Sequence, residues 1–246
     1  MKNDIQAILD ELHEMRLPVM AEQLRMMSES NELSSMDTME VLQRMTENEL
    51  ISRKNNTANR CRKNARLSQP LAAIDEIDYK PERKINASVI KQLKTNDYIR
   101  KHRNVIILGA CGSGKSYIGN ALGNNACEAL YKVFYRRMFE FISNLNQARL
   151  IGNETKILKK YSRMDVLIID DFLLNGLNEQ ETMDVFKVME MRYGHRSTVI
   201  CSQLEPSEWH QKLGSGQLAD SILDRIIPNS YQLILYGDSL RKEKEK

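Results

Sequence analysis

Two rhythms of apolar residues divide the chain. Near the start, Ile5, Ile8, Leu9 and Leu12 recur at helical spacing. Pro18 interrupts the pattern and "VMAEQLRMM" resumes it. A longer helix is predicted from Met36 to about Leu67, with Met39, Leu42, Met45 and Leu50 on its apolar side. Pro70 lies just past its end, where a proline cannot continue a helix. Residues 71–102 read as a linker followed by a short helix. From Arg103 onward, short β-branched or apolar runs alternate with helical stretches. The runs are Val105–Leu108, Val133–Tyr135, Val166–Ile169, Val199–Cys201 and Tyr231–Leu235. Strands separated by helices predict a parallel sheet covered on both faces. "VLIID" is apolar up to its last residue, as a central buried strand requires.

Composition narrows the class. The 246 residues suit one medium domain with a smaller attachment, divided here as 1–70, 71–102 and 103–246. No apolar run approaches a membrane span, and "MKNDIQAILDEL" lacks the apolar stretch of a secretion signal. The four cysteines form no C-x-x-C pair and the four histidines show no metal-ligand spacing, which fits reduced thiols in a cytoplasmic protein. Net charge is only +3, but it is unevenly spread. No acid occurs from Ser52 to Ile74, whereas Arg53, Lys54, Arg60, Arg62, Lys63 and Arg66 crowd together. Such asymmetry points to nucleic acid or, more plainly, to a solvated helix face.

The chemistry concentrates in "GACGSGKS", Gly109 to Ser116, directly after the strand "NVIIL" and before a helical pattern. It satisfies G-x-x-x-x-G-K-[ST] at Gly109, Gly114, Lys115 and Ser116. Glycines let the backbone curl so that its N–H groups face phosphate oxygens, and the next helix directs its positive end at the same anion. The loop, with Ala110, Cys111, Gly112 and Ser113, and the following Tyr117 form the expected ATP cradle. Lys115 would neutralise the β- and γ-phosphates and Ser116 would offer a hydroxyl to Mg²⁺. Such a loop calls for an acid at the end of a nearby apolar strand, and "DVLIIDDF" supplies it. Asp170 would hold Mg²⁺ through water, and Asp171 would act as base or as a supporting carboxylate. A further candidate strand, at "KVFYRR", lies between the loop's strand and "VLIID", an insertion that usually accompanies ATP hydrolysis. The strand "TVIC" ends in Ser202 and Gln203, which either approach the γ-phosphate or simply terminate the strand.

These segments, together with "RYGHRSTVICSQL", "LADSILDRIIPNSYQLIL" and "GDSLRK", resemble the IstB-like ATPases, transposition helpers related to the DnaC helicase loader in the AAA+ superfamily. The resemblance implies an AAA+-type P-loop NTPase with a five-stranded parallel sheet, preceded by a small all-α domain, with the helical lid absent or minimal. It implies that Ser202 and Gln203 occupy the sensor 1 region and that Arg225 is an arginine finger serving a neighbouring subunit. It places Arg241 where relatives carry a sensor 2 arginine. The Asp-Asp pair replaces the commoner Asp-Glu. The implied function is ATP-dependent, largely sequence-independent DNA binding by a homo-oligomer with ATP between subunits, acting with a transposase. A helicase loader is the alternative, and a small-molecule kinase would need an acceptor site and a lid. Arg149, Lys156, Lys159, Lys160 and Arg163 are candidates to line a DNA path, or plain surface charge.

Overall fold

The computed structural model describes residues 2–237 and Ser239. It divides into two compact units, Met1–Arg60 and Cys61–Lys246. The first contains α1 (Lys2–Glu14), α2 (Pro18–Glu29) and most of α3 (Thr38–Ala65). Pro18 opens α2, where its fixed φ suits a helix and its missing N–H is not needed. Leu9, Leu12, Ala21, Leu24, Met27 and Met45 form the core of this unit.

The expected apolar side of α3 is not its buried side. Met39, Leu42 and Leu50 are 70%, 47% and 53% exposed. The inward line runs instead through Val41, Met45 and Glu49, at four-residue spacing. Glu49 is buried because its carboxylate accepts hydrogen bonds from the first-turn amides Val19 (2.9 Å) and Met20 (3.2 Å), and so caps α2. Burial pushes its pKa up, but the bonds from Arg53, Met20 and Val19 outweigh this and hold it below the usual carboxylate range. A charged residue thus occupies a core position that a count of Leu and Met passes over.

The second unit is built on one parallel sheet. Its strands are β1 (Asn104–Gly109), β2 (Val133–Arg137), β3 (Val166–Asp170), β4 (Ser197–Ser202) and β5 (Ser230–Leu235), in the order β2-β3-β4-β1-β5. The candidate strand at "KVFYRR" is therefore an edge strand. The strand that separates β1 from β3 in the sheet is β4, because the chain crosses from β1 to the far edge and then fills inward.

Alternate strand residues face opposite cores. Val105, Ile107, Ile168, Val199 and Cys201 pack with α6 (Lys115–Glu128). Gly119 on this helix permits the close approach, since a Cβ there would lie 2.9 Å from the Cys201 sulfur. Residues before β1 join the same core. They include Ile74, Ile77, Ile90 and Leu93, the last two on α4 (Ala87–Lys94), and Tyr98 and Ile99 on α5 (Asp97–Arg100).

On the other face, Ile106, Leu108, Leu167, Ile169 and Ile200 meet five helices. These are α7 (Met138–Leu150), α8 (Glu154–Ser162), α9 (Glu179–Arg192), α10 (Pro206–Lys212) and α11 (Gly216–Ile226). Among the described residues all four cysteines are free thiols, and no helix is long and apolar enough to cross a membrane.

Arg192, at the end of α9, is 1% exposed. Its guanidinium donates to the carbonyls of Tyr161 (2.7 Å) and Met164 (2.8 Å), to that of Ser197, and to the Thr198 hydroxyl (3.0 Å). It thereby ties α8, the entry to β3 and the start of β4 to one side chain. Burial pulls its pKa down to about 9, which leaves it charged at neutral pH. Arg192→Leu keeps apolar bulk but strands these acceptors. It should cost the second unit roughly 3 kcal/mol or more, read as a lower urea midpoint in the fluorescence of the single Trp209. An unchanged midpoint would show that the acceptors find other donors.

Candidate nucleotide-binding site

The loop between β1 and α6 has the backbone its glycines allow. Gly109, Gly112 and Gly114 have φ of 150°, 79° and 95°, and Gly114 is the N-cap of α6. A Cβ on Gly112 would lie 2.0 Å from the Ser239 hydroxyl, so the chain beyond β5 returns to the loop. The curl is closed by Ser113 N–H to the Ala110 carbonyl (3.2 Å). From behind, the buried Arg83 donates to the Ser113 carbonyl (2.7 Å) and the Asp78 carbonyl (2.6 Å). The Ser113 hydroxyl is buried in the loop and finds no partner among the described residues. A buried hydroxyl without a partner in a loop curled by three positive-φ glycines fits a phosphate oxygen.

Lys115 is 5% exposed and its ammonium donates to the Ala110 carbonyl (2.8 Å). Burial lowers its pKa, while Cys201, Asp170, Cys111 and Asp171 act in the opposite sense. The Cys201 thiol lies 3.6 Å from the Lys115 carbonyl.

Asp170 ends β3 and is 2% exposed. One oxygen accepts from the Asp171 amide (3.0 Å) and the other from the Tyr135 phenol (2.7 Å). Asp171 has φ of 53°, an uncommon left-handed value that turns the chain out of the sheet immediately after Asp170. The donors on offer to a cation, the Ser116 hydroxyl and the Asp170 carboxylate, are hard oxygens that suit Mg²⁺ held mainly by phosphate and water. Among the described residues no group of three His, Cys, Asp or Glu forms a cage of its own. An open hollow of about 580 Å³ lies beside Asp171, with Met138, Phe139, Ile142 and Leu174 in its wall.

The remaining candidates are spread out. Ser202, opposite Leu108 in the sheet, is fully buried. Its hydroxyl donates to the Phe172 carbonyl (2.9 Å) and accepts from the Leu204 amide (3.1 Å) and the Trp209 indole (3.3 Å). It is occupied in holding the strand end, which leaves half-buried Gln203 as the residue at the tip. Arg225 is far from its own loop. The Asn104 side chain, at the opposite end of β1 from Gly109, donates to the Arg225 carbonyl (3.1 Å). Six strand residues span roughly 16–20 Å. The Arg225 guanidinium pairs with Glu190, donates to the Ser221 carbonyl (2.6 Å) and lies 5.1 Å from the Phe186 ring centre. Arg241 and any lid fall outside the described residues.

Of the basic candidates, Arg149 is tied to Asp184 and Glu154, and Arg53 to Glu49. Arg62 pairs with Glu128. Lys156, Lys159, Lys160 and Arg163 line one open hollow of about 780 Å³. Sequence reasoning missed Arg83 and Tyr135. Tyr135 can be found only once β2 is known to pair with β3, Tyr135 opposite Ile168 and Arg137 opposite Asp170. Period two then puts the phenol on the face of Asp170.

A phosphate loop closing β1, an acid closing β3 and a strand between them define a P-loop nucleotide-binding protein. The family model described as "IstB-like ATP binding protein" matches residues 10–246, and the chain belongs to that family. It is 38% identical over 175 residues, 71% of each chain, to an insertion sequence ATP-binding protein of Sinorhizobium fredii. A second protein of that name from the same organism is 32% identical over 96% of this chain and 95% of its own. The insertion sequence IS1162 ATP-binding protein of Pseudomonas fluorescens is 32% identical over 82% and 87%. AMPPCP-bound DnaA from Aquifex aeolicus superposes with a TM-score of 0.58 at 21% identity, over 72% of this chain and 56% of that one. The DnaC helicase loader gives 0.53 at 18%, over 67% and 96%. At these identities the two structures show a shared fold.

Lys115→Ala removes the only ammonium buried in the loop and should weaken binding of a fluorescent ATP analogue by about a hundredfold or more, since charge-assisted phosphate contacts are each worth a few kcal/mol. Equal affinity in mutant and wild type would remove the loop from nucleotide binding.

Proposed function

We propose that this chain hydrolyses ATP at sites completed by a second copy, assembles on DNA in its ATP-bound form, and presents that DNA to a transposase. Membership of an insertion-sequence ATP-binding family supports the setting. The observation that carries the mechanism is the separation of parts within one chain. The phosphate loop and the Asp170–Asp171 pair stand at the carboxyl ends of their strands, while Arg225 stands at the amino end of β1.

In this reading the loop amides, the Ser113 hydroxyl and Lys115 bind the triphosphate, and Ser116 and Asp170 would hold Mg²⁺, which would supply charge neutralisation for the phosphates. Asp171, turned out of the sheet by its left-handed backbone, orients a water and accepts its proton. The water oxygen bonds to the γ-phosphorus as the bond to the β–γ bridging oxygen breaks, giving ADP and phosphate. Arg225 from another copy leaves Glu190 and offsets charge on the transferring group. Gln203 follows β4 at the same end of the sheet as the loop and helps to place the water.

DNA contact falls to the exposed cations: Lys54, Arg60 and Lys63 on α3, and Lys156, Lys159, Lys160 and Arg163 around their hollow. Contacts of this kind are to phosphate and are salt-sensitive. The helicase-loader alternative predicts a replicative helicase as partner. The insertion-sequence relatives favour the transposase, and co-purification with one or the other decides.

ATP hydrolysis should be stimulated by duplex DNA and the stimulation should fade with salt; stimulation by a metabolite and not by DNA would sink the proposal. Asp171→Asn, whose side chain tolerates the same left-handed backbone, should bind ATP normally and slow turnover by roughly a hundredfold or more. Turnover at the wild-type rate would assign the proton to another group. Arg225→Ala should bind ATP yet lose hydrolysis by about a thousandfold. Mixing it with the Lys115→Ala chain should restore part of the activity, because some interfaces then join an intact loop to an intact arginine. A mixture that stays inactive although the two chains co-assemble would show that Arg225 does not act across subunits.

A further inference from the structure

Both oxygens of the Asp170 carboxylate are engaged, and one partner is a side chain outside the motifs. The Tyr135 phenol donates to it at 2.7 Å, and the Tyr135 side chain is itself 4% exposed, packed in the core between the sheet and α6. A buried ring on an edge strand has little freedom, so its hydroxyl is a fixed donor. The Ser68 hydroxyl lies beside the same phenol. Ser68 in turn accepts from the Asn120 side chain (3.1 Å), which also donates to the Ser116 carbonyl (2.6 Å). The Gln69 amide closes the link by donating to the Asn120 side-chain oxygen (3.1 Å). One run of polar side chains thus joins the Asp170 carboxylate to the backbone of Ser116, the two residues read as holding the metal. It reaches Asp170 through Tyr135 and Ser116 through Asn120, and the two branches meet at Ser68.

We propose that Tyr135 is a positioning residue for ATP hydrolysis: its phenol fixes the Asp170 carboxylate in the orientation that receives the hydrated metal ion of the bound nucleotide. This rests on the reading of Asp170 as the metal-holding acid. A carboxylate in a buried site can rotate about its last bond, and rotation trades a metal-facing lone pair for one that faces protein. The amide of Asp171 alone does not stop that rotation, because it sits on the residue next in the chain and holds one oxygen only. A second donor on the other oxygen, carried by a different strand, fixes the plane. Ser68, which accepts from Asn120, is a further neighbour of the phenol. Partners of this kind set metal affinity in carboxylate sites while touching neither the metal nor the substrate.

Tyr135→Phe removes one oxygen and keeps the ring. The full-length protein is titrated with a fluorescent ATP analogue, first in EDTA and then with rising Mg²⁺. Affinity in EDTA should stay within about twofold of wild type, while the Mg²⁺ midpoint should rise by roughly tenfold or more. Mn²⁺ substituted for Mg²⁺ and followed by electron paramagnetic resonance should show the same loss of affinity. Asp170→Asn, measured alongside, should raise the midpoint at least as far. A shift with Asp170→Asn and none with Tyr135→Phe would overturn the positioning role and leave the acid's role standing. A Tyr135→Phe protein that loses affinity in EDTA to the same degree would show that the phenol merely holds the fold, and would also overturn it. An Asp170→Asn protein with a wild-type midpoint would remove the metal from Asp170 and the proposal with it.

Discussion

The structure depends on keeping an ammonium ion in a place where water scarcely reaches. Lys115 is almost wholly buried, and among the described residues its ammonium donates to the Ala110 carbonyl of its own loop. Burying an unpaired charge is costly. Burial disfavours the charged form, and the buried carboxylate of Asp170 is among the groups that favour it. The two are delivered by different strands, and β4 keeps those strands apart. If β1 and β3 were adjacent, the cation and the acid would sit close enough to pair and close the gap. With β4 between them, a polyanion and a hydrated metal have room. Much of the rest serves to hold that spacing: the small Gly119 lets α6 sit close on the sheet, Ser202 pins the β4 tip to Phe172 and Trp209, and Arg83 braces the loop from behind.

The parts of this arrangement that were legible in the sequence are those carried by short-range rules. The five strands were visible as apolar runs, and the loop as a fixed spacing of Gly, Lys and Ser. Asp170 and Asp171 were visible as polar residues closing an apolar strand. The order of the strands was not, because period and propensity say nothing about which edge a strand takes, and "KVFYRR" reads the same at an edge as inside. The α3 face was misread for a related reason. Glu49 behaves as a core residue only because two amide donors of α2 wait for it, and no count of apolar residues contains that fact. Arg192 and Arg83 escaped notice in the same way. Each is an arginine whose partners include a backbone carbonyl some thirty residues away, Tyr161 for Arg192 and Ser113 for Arg83, so that part of its role exists only after the chain has folded.

The same distinction separates the two kinds of candidate site residue. Residues of the phosphate loop act within one short segment, and their positions follow from the local sequence. Arg225 is different. Its neighbours in the monomer are Glu190, Phe186 and Ser221, a resting place assembled from α9 and α11. An ion pair that is partly exposed is worth little, so leaving Glu190 costs little once a stronger anion is offered. Under the proposed function, a triphosphate presented by another copy is such an anion.

Under the proposed function, this division of labour gives a physical reason for DNA to control the chemistry. A single chain owns the loop, the acids and the cradle, so it binds nucleotide by itself. It lacks only the cation that stands at the far end of its own sheet. Turnover then depends on how often a second copy supplies that cation, which is a question of local concentration. Free in solution, the encounter is bimolecular and dilute. Held on one stretch of DNA by phosphate contacts, neighbouring copies meet at an effective concentration set by their spacing along the duplex, in the millimolar range for short separations by the usual tethering argument. DNA therefore accelerates hydrolysis without touching the reacting atoms, and hydrolysis in turn reports that copies stand side by side on DNA. A protein whose task is to mark a stretch of DNA for another enzyme needs that property, and a site split between the two ends of a parallel sheet provides it.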